Sequence, residues 1–398
     1  MKIKIDNRKF LAIFFVFFII IGGVLTLISS PRQIFGGIVR GYIDSPEDCN
    51  TFQKVGNSLR EFDNRSSEYF IFHDISIHAY GGIQKLLNRS LIDDTDKSNQ
   101  VLKLNNGYLT FKENKNSDLS GLQQYLVDLK KTCDSTGSKL LYVKKTTKNT
   151  TNKELLPCYY PYVYNLNFDE IKPILEKQDI LVLDIDEKIN KSNIDKYSLF
   201  FKTDHHWLPQ TGIWVSKSIC EELNNINGWN LDTNKLDINN YNIITYPNSF
   251  LGSQGKRIGA IYGGIDDFYV VYPSFETKLT VDMSDIEFNV TGNFQETLLN
   301  EDSITPDNLL NKDNTAYNTY MRGNHDLVKI TNHNMQDGKK ALLVLDSFGC
   351  VVAPYLSLEF SQLDCIDIRS YTDSVKDYIE ETKPDVVIYA IDAYPTEQ

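Results

Sequence analysis

The chain has 398 residues, with 41 basic and 53 acidic side chains and a net charge of -12. That length exceeds one small core, so two packed regions are expected, and 23 Tyr and 21 Phe supply ample core material. The acidic balance repels nucleic acid and anionic lipid head groups, which points to a neutral or small-molecule substrate.

Lys2, Lys4, Arg8 and Lys9 precede an unbroken apolar run over residues 10–28, "FLAIFFVFFIIIGGVLTLI". Its nineteen residues, at about 1.5 Å each, come close to the ~30 Å hydrocarbon core of a bilayer. Bases on that flank place the N-terminus in the cytoplasm and everything after Ser30 outside. A cleaved signal peptide is the competing reading. The run is long for one, however, and "SSPRQ" lacks a clear small-x-small cleavage site. An uncleaved single-pass anchor is therefore expected over 1–30, with an extracytoplasmic body beyond it. The six cysteines have no C-x-x-C spacing, so zinc is not expected, and both free thiols and disulfides stay open.

Residues 31–100 form a membrane-proximal region of unclear structure. There "DNRSSEYFIFHDISIHAYGG" has strand-like apolar stretches and "LIDDTDKSNQ" is a polar loop. From 101 to 398 an α/β body is expected. "YLTFK" reads as a strand after an Asn-Asn-Gly turn. In "SDLSGLQQYLVDLKKTCDSTG", Leu119, Leu122, Tyr125, Leu126 and Leu129 fall at helical spacing, with a stop near Gly137. "KLLYV" and "DILVLDI" read as strands around the helix "FDEIKPILEKQ", separated by the loop "KKTTKNTTNKE". The alternation implies a parallel sheet with crossover helices. "PQTGIWVSKSICEELNN" predicts a helix with Pro209 in its first turn. Residues 231–320 read as an inserted, β-rich segment. The last hundred residues return to alternation: strand "ALLVL", short helix "VVAPYLSLEF", strand "LDCIDI", helix "TDSVKDYIEETK", strand "PDVVIYAI".

In open parallel sheets ligands bind beyond the carboxyl ends of the strands. Ser347 lies there, directly after "ALLVL", with its backbone N–H free to meet developing negative charge. A serine needs a base oriented by an acid to become a nucleophile. "FKTDHHW" supplies both: in an extended segment Asp204 and His206 project to one side while His205 points away.

These stretches, "FFKTDHHWLPQTG", "RGNHDLVKITN", "GKKALLVLDSFGCVVAPYLSLEF" and "CIDIRSY", resemble the DHHW family. That family is the branch of SGNH-hydrolase-like proteins that includes the alginate O-acetylation proteins AlgJ and AlgX. The order matches as well, with the Asp-His motif ahead of the serine. The resemblance covers roughly residues 100–390. It implies a flavodoxin-like parallel sheet flanked by helices, with Ser347 as nucleophile, His206 as general base and Asp204 as its orienting partner. It further implies acetyl transfer through an acetyl-serine onto or off a polysaccharide hydroxyl. The acetyl group would be delivered by a membrane-bound O-acyltransferase partner. No cofactor and no metal is called for. For the oxyanion it suggests Gly323 and Asn324 in "RGNHD", with Gly252, Ser253 and Arg257 in "FLGSQGKRIG" as rivals.

Each residue also has a plainer role. Ser347 could cap the following helix, and Asp204 could cap the one near Leu208. His206 could be a structural, hydrogen-bonded histidine. Trp207 is read as core, with stacking on a sugar as its alternative. His325 beside Asp326 reads as a solvated pair, Asp346 as a turn residue bonded to backbone, and Arg369 as an anchor of the sheet end. A metal site at Asp204, His205 and His206 is disfavoured, because neighbouring ligands diverge and no further cluster completes a shell. A polysaccharide O-acetyltransferase is the leading function. The same triad would serve a carbohydrate acetylesterase, and a non-catalytic polysaccharide-binding or assembly protein is the reading from another class.

Overall fold

The computed structural model describes residues 7–46, 49–92, 100–111, 119–150, 152–157, 166–311, 315–335 and 337–391. Lys2, Lys4, Cys158 and most of the polar loop after Ile92 lie outside the described residues. The chain divides into two compact units, Met1–Leu87 and Asn88–Gln398.

The first unit holds four helices: α1 (Asn7–Ser29), α2 (Pro31–Ile43), α3 (Thr51–Glu68) and α4 (His73–Leu86). An 18-residue window of α1, Ala12–Ser29, has mean hydropathy 2.7, so α1 is long and apolar enough to cross a membrane. The strand-like reading of "FIFHDISIHAY" is corrected, because these residues form the turn into α4 and most of that helix. Asn50 opens α3 with a reciprocal capping box to Gln53, a helix-start signal that the sequence carried.

The second unit begins with a small antiparallel sheet, β1 (Leu91–Ile92), β2 (Val101–Lys103) and β3 (Leu109–Phe111). There follow α5 (Ser120–Thr136), β4 (Lys139–Lys144), α6 (Leu166–Lys177), β5 (Leu181–Asp184), α7 (Ile185–Ser192) and α8 (Pro209–Asn227). The inserted region contains β6 (Tyr241–Phe250), α9 (Ser253–Ile258), α10 (Ala260–Gly263), β7 (Asp266–Pro273), β8 (Leu279–Met283), β9 (Phe288–Gly292) and α11 (Phe294–Leu298). The chain ends with β10 (Leu327–Asn332), β11 (Lys340–Leu345), α12 (Ala353–Leu356), β12 (Gln362–Asp367), α13 (Val375–Thr382) and β13 (Val386–Tyr389).

Eight strands form one sheet in the order β5-β4-β13-β11-β12-β10-β8-β9. The first five are parallel, and one row of the register runs Leu181, Leu141, Ile388, Leu343, Cys365. β10, β8 and β9 extend the sheet antiparallel, so it is mixed, and part of the β-rich insertion belongs to it. The insertion's β6 and β7 stand apart from it as a two-stranded ribbon.

Alternation puts both faces of the parallel strands in apolar cores. Leu342 and Val344 face the helices α5, α6 and α13. Ala341, Leu343 and Leu345 face α8 and the β6–β7 ribbon. Counting β11 as the first strand, the parallel order is 2-1-3-4-5. The strand order then reverses between β11 and β13, which is where an open α/β sheet leaves a crevice.

Candidate active site

Ser347 sits at that crevice, two residues past the end of β11, as the first residue of a 3-10 helix, Ser347–Val351. Asp346 caps it by accepting from the Phe348 N–H at 3.0 Å, the backbone role expected for it. The turn is tight. A Cβ on Gly349 would lie 2.6 Å from that of Leu345, so this position of "DSFG" demands glycine. Asp346 also forms a buried ion pair with Lys145, just beyond β4. Burial alone would raise the Asp346 carboxyl, but the adjacent Lys145 charge and hydrogen bond hold it below its usual value.

The partner loop lies between Phe200 and Trp207, which pair across a β-bridge. Within it His206 Nε2 lies 2.7 Å from Ser347 Oγ. His206 Nδ1 lies 2.5 Å from Asp204 Oδ1, and the same oxygen accepts the His206 backbone N–H at 2.8 Å. An Nδ1–H donated to the carboxylate leaves the Nε2 lone pair facing the serine hydroxyl. The three residues named from sequence therefore form one hydrogen-bonded chain, with Asp204 and His206 buried. Asp204 is not a helix cap, since α8 starts from Leu208 without a side-chain cap bond.

Two segments converge because α8 is seated on the serine helix. A Cβ on Gly212 would lie 1.8 Å from the Val351 carbonyl oxygen, and Ser216 Oγ donates to the Val352 carbonyl at 3.1 Å. α8 begins three residues after His206, so this contact carries the histidine to the serine.

Behind the loop, the "FLGSQG" stretch takes a role other than the oxyanion one. The Ser253 N–H donates to Asp204 Oδ2 at 2.5 Å, and Ser253 Oγ lies 2.8 Å from His205 Nδ1. Gly252 must be glycine, because a Cβ there would lie 2.1 Å from that of Asp204. Asp266, at the start of β7, accepts from the N–H groups of Lys202 and Thr203 and from Thr203 Oγ1, at 3.0, 2.8 and 2.6 Å. Burial would raise the Asp204 carboxyl, but its interaction with His206, with hydrogen bonds from His206 and Ser253, holds it well below its ordinary range. Burial, reinforced by the neighbouring His206 charge, pushes His205 down to about 3, so it stays neutral beside the working ring.

Tyr317, which the sequence did not flag, stacks on His206 with centroids 4.1 Å apart and planes at 16°. Its buried hydroxyl has no hydrogen-bond partner among the described residues. Lys148 is also new. It is buried beneath the loop, donates to the Phe201 and Lys202 carbonyls at 3.2 and 3.3 Å, and is pulled down to about 7 by burial. Neither position has a spacing that marks it.

Other expectations change. Trp207 is 2% exposed and packs edge-on against Phe348, so it is core and offers no face to a sugar. The Gly323 N–H donates to the Tyr320 carbonyl at 3.1 Å, which takes it from the oxyanion set. Asn324 stays close to the serine turn, its Oδ1 accepting from Cys350 Sγ at 3.4 Å. The Arg257 guanidinium lies 5.2 Å from the centre of the Phe111 ring, which borders His205 rather than Ser347. His325 is buried and pairs with Asp285 at 2.8 Å, not with solvent or Asp326. Arg369 forks onto Asp367 at 2.8 and 2.5 Å, at the end of β12, as expected of an anchor. The described cysteines Cys49, Cys133, Cys220, Cys350 and Cys365 are free thiols. Donor atoms of Asp204, His205 and His206 fall within 4.8 Å of one another, a spacing a cation could use. Both oxygens of Asp204 and both nitrogens of His206 are already engaged in hydrogen bonds, so the set fits a proton relay better than a metal.

Residues 106–240 match the family described as SGNH hydrolase-like domain, acetyltransferase AlgX. That span includes the Asp-His loop and stops short of Ser347. PatB1 of Bacillus cereus is similar in structure at 18% identity and a TM-score of 0.57, over 73% of this chain and 94% of that one. A DHHW family protein from Eubacterium siraeum has 17% identity and a TM-score of 0.56, over 76% of this chain and 93% of that one. No curated protein matches the chain. The family match and the DHHW structure return the resemblance read from the motifs, and the α/β body has the SGNH-hydrolase-like fold.

Proposed function

We propose that this chain is a membrane-anchored, extracytoplasmic serine O-acetyltransferase. It moves an acetyl group onto a hydroxyl of a cell-surface or secreted polysaccharide through an acetyl-Ser347 intermediate. The observation that carries this reading is the unbroken relay Asp204–His206–Ser347 at the crevice of the sheet. The description of the matching family as an acetyltransferase supports the choice of acyl group.

In the first half-reaction His206 Nε2 takes the Oγ proton as Oγ bonds the acetyl carbonyl carbon. Collapse of the tetrahedral intermediate expels the donor's heteroatom, which leaves with that proton. In the second half the acceptor hydroxyl gives its proton to Nε2 and attacks the acetyl-serine, and Ser347 leaves reprotonated. Asp204 stays ionised and steadies the imidazolium both times. The Ser347 N–H, at the head of its 3-10 helix, would be one donor to the oxyanion and the Asn324 side chain, beside the serine turn, another. A membrane-bound O-acyltransferase partner would supply the acetyl group from across the bilayer.

The test uses the full chain in detergent with a chromogenic acetyl ester, with and without oligosaccharide acceptors. The expected results are an acetyl adduct on Ser347 by mass spectrometry and acetylated oligosaccharide. Ser347→Ala should lose ester turnover by about a thousandfold or more. Free acetate alone, with every acceptor tried, would make the protein an acetylesterase. Unchanged surface acetylation in cells carrying Ser347→Ala would leave only the binding reading.

A further inference from the structure

The first unit is built inside out. α2 and α3 meet through small and polar groups. A Cβ on Gly37 would lie 2.8 Å from Arg65 Cγ, and one on Gly41 2.9 Å from the Asn57 carbonyl oxygen. Asn57 Nδ2 donates to Ser45 Oγ at 3.0 Å, and that hydroxyl donates to the Gly41 carbonyl at 2.6 Å. A Gly-x3-Gly-x3-Ser seam of this kind lets helices approach without an apolar core between them.

The large apolar side chains face outward instead. On α2 they are Phe35, Val39 and Tyr42, and on α3 they are Phe52, Val55 and Leu59, each set at the spacing of one helical face. Phe52 is 90% exposed. The stripe on α3 ends at the exposed Asp63. In water two such stripes would be an aggregation liability.

Chain continuity names the occupant. α1 ends at Ser29 and α2 starts at Pro31, so a single residue separates a span-grade helix from the first stripe. If α1 crosses the bilayer, α2 begins at the hydrocarbon boundary. At 13 residues, with Arg32 and Arg40, α2 is too short and too charged to cross. Lys54, Arg60, Glu61 and Asp63 forbid α3 from crossing. Helices of this kind lie in the interface plane. We propose that the α2–α3 hairpin lies in the bilayer interface, its two apolar stripes set into the acyl boundary. It is a second membrane contact beside α1, and it rests on reading α1 as a span.

All three native tryptophans, Trp207, Trp214 and Trp229, lie outside the hairpin, so wild type gives the emission background. The full chain carrying Phe52→Trp or Val39→Trp is reconstituted in phosphatidylcholine vesicles with or without acyl-chain bromine. The added emission should fall about twofold or more in brominated vesicles, as an apolar face set roughly 5–10 Å deep requires. Asn64→Trp, exposed on another side of α3, should keep its emission. Flotation of wild type with vesicles after an alkaline wash reports separately on α1. Flotation with neither stripe tryptophan quenched overturns the hairpin proposal and leaves the anchor reading intact. Failure to float removes both. Stripe tryptophans shielded from bromolipid and aqueous acrylamide alike would mean that protein covers the face, which also overturns the proposal.

Discussion

His206 carries a positive charge whenever it holds the serine proton, and the Tyr317 ring lies over it, parallel to within 16°. A π face over an imidazolium stabilises it by roughly 0.5–2 kcal/mol when water is excluded. The Tyr317 hydroxyl bonds nothing among the described residues, so the ring rather than the oxygen supplies the effect. Tyr317→Phe should therefore leave kcat near wild type. Tyr317→Ala should lower kcat by about tenfold, in line with a loss of about 1.4 kcal/mol. Thermal unfolding of both variants separates this from simple loss of packing, and a Tyr317→Phe enzyme as slow as Tyr317→Ala would refute it. The contrast with the triad explains what was legible at this scale. Asp204, His206 and Ser347 could be read because each role admits few residue types, two of them at fixed spacing. Tyr317, Ser253 and Asp266 act through a ring face, a backbone N–H and a carboxylate that accepts backbone donors. Many residue types at many positions could do the same. Trp207 is core, as read, and its sugar-stacking alternative falls away with Gly323 as an oxyanion donor, because nearness to a motif along the chain says nothing of which way a ring or an N–H points.

Among the elements, α8 decides whether the triad exists. Its Gly212 leaves the Val351 carbonyl oxygen no room for a side chain. Gly212→Ala must push α8 off the serine helix by more than an ångström. Placement errors of that size cost catalysis about a hundredfold. The variant should remain folded, because the contact with β11 and the ribbon is made by other residues of α8, such as Val215, Ile219 and Leu223. The check is the rate of Ser347 acetylation beside a near-wild-type circular dichroism spectrum. Undiminished acetylation would show that α8 does not set the histidine. The helix itself was legible, with Pro209 at its start and its apolar positions in period. The parallel strands were legible too, since strands buried on both faces leave unbroken apolar runs such as "ALLVL" and "DVVIY". The helices α2 to α4 were not, because their apolar faces point away from the unit and their contacts are small and polar. β8 and β9 fall within the insertion read as β-rich, but nothing local shows that they join the main sheet through β10.

For the whole molecule, the reversed motif order has a topological cause: β4 and β5, the fourth and fifth strands of the 2-1-3-4-5 order, come first in the chain. The Asp-His loop therefore precedes the serine, while both still meet at the same end of the sheet. The core this creates also holds Glu359, fully buried where the chain turns from α12 toward β12. Its Oε2 accepts the Asp232 N–H at 2.7 Å, and its Oε1 is buried with no partner among the described residues. Cys220 and Tyr241 face it, with the Lys235 charge nearby. Burial pushes the carboxyl up to about 7, against 4.5 in an open chain, and Lys235 only partly offsets it. Between pH 4.5 and 7 the folded chain keeps a proton that the unfolded chain has released. This contribution to stability is complete below 4.5 and lost as pH rises through 7, on the order of 3 kcal/mol at most. Lys148 works the other way. Its folded value near 7 lies below the 10.5 of an open chain, so its contribution grows only as pH rises above about 7. Net charge reinforces the first trend, since a chain at -12 gains further repulsion as it loses protons. His205, held down to about 3 against 6.5 in an open chain, opposes Glu359 up to pH 6.5, so the Glu359 contribution is read as a difference between two proteins. From pH 5 to pH 7 the unfolding midpoint of wild type in detergent should fall relative to that of Glu359→Gln, which keeps an acceptor for the Asp232 N–H and carries no proton to lose. A gap between the two midpoints that does not change with pH would show that Glu359 does not carry the effect.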